Sequence, residues 1–182
     1  MSFLKTNYRD LSNNDFEPLP QGDYEVIIEQ ATENVTNSGA QSVQMKLHVR
    51  KDLDNVSELS DTNRKYHNRV VWINNWKRKA TGRYNDQQFQ YILSALKVPE
   101  NKEFNTVDQY CQFIENKPIR AYIKITKDSY EGKDQERNDV APWGFSETKF
   151  PLNKAASDAT PVDPFKDNSG APIDISDDDL PF

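Results

Sequence analysis

Val43-Gln44-Met45-Lys46-Leu47-His48-Val49-Arg50 sets apolar residues at odd positions and polar, mostly basic ones at even positions. Strict alternation marks a strand with one face on a core and the other in water. Upstream, Leu19-Pro20-Gln21-Gly22-Asp23 is turn chemistry leading into a first strand, Tyr24-Glu25-Val26-Ile27-Ile28, and Asn37-Ser38-Gly39 is the turn between the two. Downstream, a polar loop runs from Asp52 to about Asn63, and residues 66–76 read as a third strand. Val71 and Ile73 would face the core, with Tyr66, Val70, Trp72 and Trp76 on the opposite side.

Two helical patterns follow. Phe89, Ile92, Leu93 and Leu96 recur at helical spacing behind Asn85 or Asp86 as N-cap. Val107, Tyr110, Cys111 and Ile114 do the same, with Thr106 and Gln109 placed as a capping box. Ile119, Ala121, Ile123 and Ile125 alternate as a fourth strand, Glu131-Gly132-Lys133-Asp134 suits a hairpin turn, and residues 136–148 form a weaker fifth strand. Three strands, helices, then two strands is the element order of an OB fold, the five-stranded Greek-key barrel, here with helices between strands 3 and 4. Another small antiparallel sheet with helices packed on it fits the same order.

Bulk properties divide the 182-residue chain. Mean hydropathy is −0.91, low for a wholly globular chain. Residues 1–18 read as a polar N-terminal arm, 19–150 as the folded body and 151–182 as a disordered acidic tail holding five of the ten prolines. The tail carries seven Asp and two Lys, which leaves only −1 of the net −6 on the body. No apolar run reaches the length of a membrane span, no signal peptide opens the chain, and the lone Cys111 excludes an internal disulfide, so a cytoplasmic setting is expected.

The near-neutral body hides one basic stretch, residues 64–84, with seven Arg or Lys and no acid. Single-stranded nucleic acid offers phosphates, which cations neutralise, and unstacked bases, which aromatic rings hold at about 1–3 kcal/mol each. Arg64, Lys65, Tyr66, Arg69, Trp72, Trp76, Lys77, Arg78, Lys79, Arg83 and Tyr84 supply both kinds of group. In an extended chain Trp72 and Trp76 would lie about 13 Å apart on one face. Lys46, His48 and Arg50 on strand 2, and Arg120 and Lys124 on strand 4, would widen that surface. The competing reading places these aromatics in the core and the lysines in a solvated turn.

The chain ends Asp177-Asp178-Asp179-Leu180-Pro181-Phe182. A terminal ring and carboxylate behind an acidic run suit a small apolar pocket ringed by cations on a partner. This ending resembles the C-terminal tip of bacterial and phage single-stranded DNA-binding proteins. The resemblance implies that these six residues dock a helicase, nuclease, recombination mediator or polymerase-associated subunit. The body lacks the opening of the bacterial family, so its tetramer is not carried over and the oligomeric state stays open. Leu19-Pro20-Gln21-Gly22-Asp23-Tyr24-Glu25-Val26 instead resembles the start of a phage early-region replication and recombination family, which implies work in the cytoplasm of a bacterial host. An acidic tail of this kind is also expected to compete with DNA for the basic surface.

Taken together, the expectation is a non-catalytic, sequence-independent single-stranded DNA-binding protein without cofactor or metal. A recombination mediator or annealing adaptor acting through protein contacts is the alternative. A metal-dependent nuclease would have to use Asp52, Asp54, Glu58 and Asp61, which share one polar loop. No phosphate loop, nucleophile elbow or Cys/His metal spacing accompanies them. A DNA mimic fits poorly, because the acids concentrate in the tail.

Overall fold

The computed structural model describes residues 17–130 and 133–152, with the side chains of 128–135 excepted. The chain divides into two units, Met1–Pro151 and Leu152–Phe182, and the elements described all belong to the first. They are β1 (Gly22–Val35), β2 (Gln41–Val49), α1 (Asn63–Tyr66), β3 (Val70–Trp76), α2 (Asp86–Ala95), α3 (Val107–Ile114), β4 (Lys117–Tyr130) and β5 (Lys133–Ser146).

The strands form one antiparallel sheet in the order β3-β2-β1-β4-β5, with α2 and α3 between β3 and β4. β1 serves two partners. Its first half pairs with β4 from Gly22↔Ile123 to Ile28↔Lys117, and its length from Val26 to Val35 pairs with β2. A bulge between Ile28 and Gln30 interrupts the β2 ladder just past the last residue paired with β4. β3 and β5 approach one another, but no hydrogen-bonded ladder joins them among the described residues.

The inner face is the one the alternation picks out. Val43, Met45, Leu47 and Val49 of β2 meet Val71 and Ile73 of β3, Val26 and Ile28 of β1, and Ile119, Ala121 and Ile123 of β4. Ile92 from α2 and Ile114 from α3 join this core. Each of the Val, Leu, Ile and Met side chains contributes about 1.5–3 kcal/mol on leaving water.

Several boundaries differ from the sequence expectation. β1 runs seven residues past Ile28, because residues 30–35 pair with β2 beyond the bulge at Glu29, although only Ala31 of the added segment is buried. The third strand begins at Val70, not 66. Asn63 is fully buried; its side chain accepts from Glu25 N and donates to the Glu25 and Arg50 carbonyls, which fixes a helical turn. Asn68 at φ +63° then reverses the chain before β3. Tyr66 therefore lies off the strand, its ring 6.3 Å from that of Tyr24. α3 is capped as read, Gln109 N donating to Thr106 Oγ1 at 3.1 Å, but the Gln109 side chain returns to Asn105 N. β4 and β5 are each longer than the fourth and fifth strands read from the pattern.

Candidate nucleic-acid interface

Burial of Val71 and Ile73 forces Trp72 and Trp76 outward, where they are 47% and 49% exposed. Across the ladder Trp72 faces Lys46 and Trp76 faces Ser42. Lys46 Nζ lies 5.9 Å from the Trp72 ring centre, within cation–π range. The same Nζ is 3.0 Å from Glu29 Oε2, and His48 Nδ1 is 3.5 Å from that oxygen. Glu29 sits in the β1 bulge, so one carboxylate holds both basic groups of β2.

The segment after Trp76 is pinned to the strand by a buried amide. Asn75 Nδ2 donates to Asn85 O and Asn75 Oδ1 accepts from Asn85 N, both at 3.0 Å. Between these anchors the chain turns back on itself. Arg78 N donates to Arg83 O and Gly82 N to Arg78 O, each at 2.8 Å, with Gly82 at φ +63°. Arg78, Lys79 and Arg83 point into solvent, and among the described residues no acid pairs with them. Lys77 and Tyr84 hold the loop instead. Lys77 Nζ donates to Gln41 Oε1 at 2.7 Å and lies 5.4 Å from the Tyr84 ring centre. Tyr84 Oη donates to Glu33, and burial with this bond raises the phenol well above its usual range.

Other sequence candidates lie elsewhere or are otherwise engaged. Arg50 is not on the open face. Its guanidinium is buried, bonds both Asp52 oxygens and donates to the Phe150 carbonyl. That pairing holds the Asp52 carboxyl below the usual range. Tyr66 is half-buried with Lys65 Nζ 5.3 Å from its ring centre, and burial, then Tyr66, pushes the Tyr24 phenol up to about 12. Arg64 and Lys65 are exposed on α1, whereas Arg69 donates to the Glu17 carbonyl. On β4, Arg120 Nη2 is 2.9 Å from Asp23 Oδ2 and Lys124 Nζ 3.6 Å from Asp139 Oδ2. Of the loop acids, Asp54 meets His67 at 3.1 Å; among the described residues no cluster of three or more His, Cys, Asp or Glu could hold a metal ion. The tip residues Asp177 to Phe182 lie outside the described residues.

A family model matches residues 5–161. The chain belongs to the family described as Protein of unknown function (DUF669). The DUF669 match takes in the whole sheet and the helices, and stops before the acidic tip. A search of curated proteins gives no match. A solved structure of yeast RPA bound to ssDNA aligns over 83% of this chain and 87% of that chain, at 11% identity and a TM-score of 0.33. A likeness that loose adds no weight to the geometry. Among the described residues of this DUF669 chain no helix is long and apolar enough to cross a membrane.

Two functional candidates escaped the linear reading. Glu29 was hidden because the bulge breaks the alternation that would have placed it. Trp143 is 72% exposed, and its signal was its setting in Pro142-Trp143-Gly144, since Pro and Gly inside a strand mark a bulge. A hollow of about 1110 Å³ lies between α2 and α3 and is lined in part by Phe89, Leu93, Phe104 and Tyr110; no tryptophan reaches it.

Proposed function

We propose that this protein binds single-stranded DNA without base specificity and without catalysis, using an OB-type sheet, in phage DNA replication or recombination. The observation that carries this reading is the pair Trp72 and Trp76, both half-exposed on β3 while their strand neighbours fill the core. A Trp ring facing water forgoes the burial that a core position gives, and a nucleobase restores contact whatever its identity. Arg78, Lys79 and Arg83 stand on the loop directly after Trp76, where a sugar–phosphate chain leaving the rings would meet them.

The second half of the proposal concerns the acidic tip, Asp177 to Phe182, which would recruit a helicase, nuclease, recombination mediator or polymerase-associated subunit. Its support is the sequence ending alone. The test of the DNA half is intrinsic tryptophan fluorescence during titration with oligo-dT at low and high salt, against duplex. Quenching by the single strand only, weakened by salt, is the expected result; no quenching and no binding would overturn it. The adaptor reading, a recombination mediator or annealing protein, is favoured by one fact. The strand cations Lys46, Arg120 and Lys124 already have carboxylate partners. Mg²⁺-dependent loss of the DNA would instead point to an enzyme.

A further inference from the structure

Trp143 is more exposed than any other large hydrophobic side chain among the described residues, and the backbone around it explains how it is held out. In the β4–β5 ladder Ala121 pairs with Phe145 and Ile123 with Val140. Four residues, 141–144, therefore stand opposite Tyr122 alone. Bulges bend a strand and re-aim a side chain. Gly144 permits this one: a Cβ there would come within 3.1 Å of the Ala141 carbonyl and of Val140, and 3.3 Å of the Tyr122 carbonyl. Val140 and Phe145 on either side remain in the core, so the excursion is anchored at both ends.

Tyr122, the residue under the bulge, is also exposed, and its hydroxyl accepts from Gln21 Nε2 at 2.7 Å. Arg120 and Lys124 lie two residues to either side of it along β4, on the same strand face by alternation. From Lys117 to Lys127 the strand has four cations and no acid; among the described residues Asp23 pairs with Arg120 and Asp139 with Lys124, and Glu136 stands opposite Lys127 in the ladder. The composition of the β2–β3 face, exposed rings with cations beside them, thus occurs a second time on a separate pair of strands. A protein pocket for Trp143 would need apolar surroundings here; two exposed rings flanked by Arg120 and Lys124, whose surface ion pairs are weak enough for a phosphate to displace, favour a polyanion carrying flat rings.

We infer that Trp143 and Tyr122, with Arg120 and Lys124, form a second stacking station for the same strand of nucleic acid, so that a long single strand contacts both sheet edges and a short one only β3. This rests on the function proposed above. The test uses full-length protein in which one tryptophan at a time is retained. The Trp72→Phe/Trp76→Phe variant leaves Trp143 as the reporter, and two companion variants carrying Trp143→Phe report from Trp72 or from Trp76. Each is titrated with oligo-dT of about four and about sixteen nucleotides, the range of site sizes of such folds. Quenching of Trp143 by the long oligomer and not by the short one is expected. Trp143→Ala should weaken the long oligomer about tenfold and leave the short one unchanged. If the Trp72 or Trp76 reporter is quenched while Trp143 is silent and Trp143→Ala binds normally at both lengths, the second station is overturned and the ring is left for a protein partner. If no reporter responds, the DNA-binding reading itself fails, and this inference with it.

Discussion

The outer face of β2 and β3 and the layer of α2 and α3 are made of the same ingredients, aromatic rings with lysines beside them, and the two regions use them in opposite ways. In the helical layer the rings meet each other. Phe89 and Tyr110 lie 4.6 Å apart, Phe104 is 5.8 Å from Tyr110 and 5.2 Å from Phe113, and Lys102 Nζ closes over Phe113 at 3.9 Å. On the sheet, Trp72 and Trp76 contact no other ring among the described residues. A helix stripe has another element to pack on; the outward side of a strand has only solvent or a ligand. Identical residue types are therefore structural in one place and available in the other.

The strongest way to break this contrast is to remove the available rings. The double substitution Trp72→Ala/Trp76→Ala should leave the unfolding midpoint nearly unchanged and cost about 1–3 kcal/mol of oligo-dT affinity per lost stack. A large fall in stability with unaltered binding would show that these rings are structural after all. The mirror experiment is Phe89→Ala, which should destabilise the fold by about 3 kcal/mol through lost packing and a residual cavity. DNA affinity measured well below its melting temperature should stay at the wild-type value.

Charge sharpens the comparison further. Replacing Arg78, Lys79 and Arg83 with Ala should flatten the salt dependence by about 0.7 per neutralised phosphate, whereas Arg50→Ala should show its effect in stability. Equal salt slopes for the triple variant and wild type would remove the loop from the interface. Glu29→Gln frees Lys46 and His48 from their carboxylate, so binding should tighten about twofold to fivefold, the range of an exposed ion pair. The smallest effect is in acid. Asp52 has a lowered folded pKa through Arg50, so its stabilisation is present above the unfolded carboxylate pKa and disappears as pH falls through the folded value. Asp52→Asn should flatten the low-pH limb of a stability profile, and an unchanged limb would assign it to other carboxylates.

Much of the fold was legible in local pattern. Val43 to Val49, Val71 with Ile73, and Ile119 to Ile123 announced their inner faces because alternation is a property of neighbouring residues. The outward placement of Trp72 and Trp76 followed from the same rule. Where an element lacked that signal the reading stopped short, as with the polar second half of β1, which is a strand only because β2 lies beside it.

What the sequence determined alone was thus the order of the five strands with α2 and α3, the alternating core positions, and the charge division between the body and its acidic end. Tertiary structure decided which cations are spoken for. Glu29 reaches Lys46 and His48, Asp23 reaches Arg120, and Phe150 reaches Arg50 across a separation of 100 residues. Tertiary structure also decided that Tyr66 packs on Tyr24 and that a bulge lifts Trp143 from the sheet. The reason is physical. Periodicity encodes which way a side chain points from its own backbone, but ion pairs, ring contacts and bulges depend on the strand across the ladder, and that partner is chosen only when the chain folds.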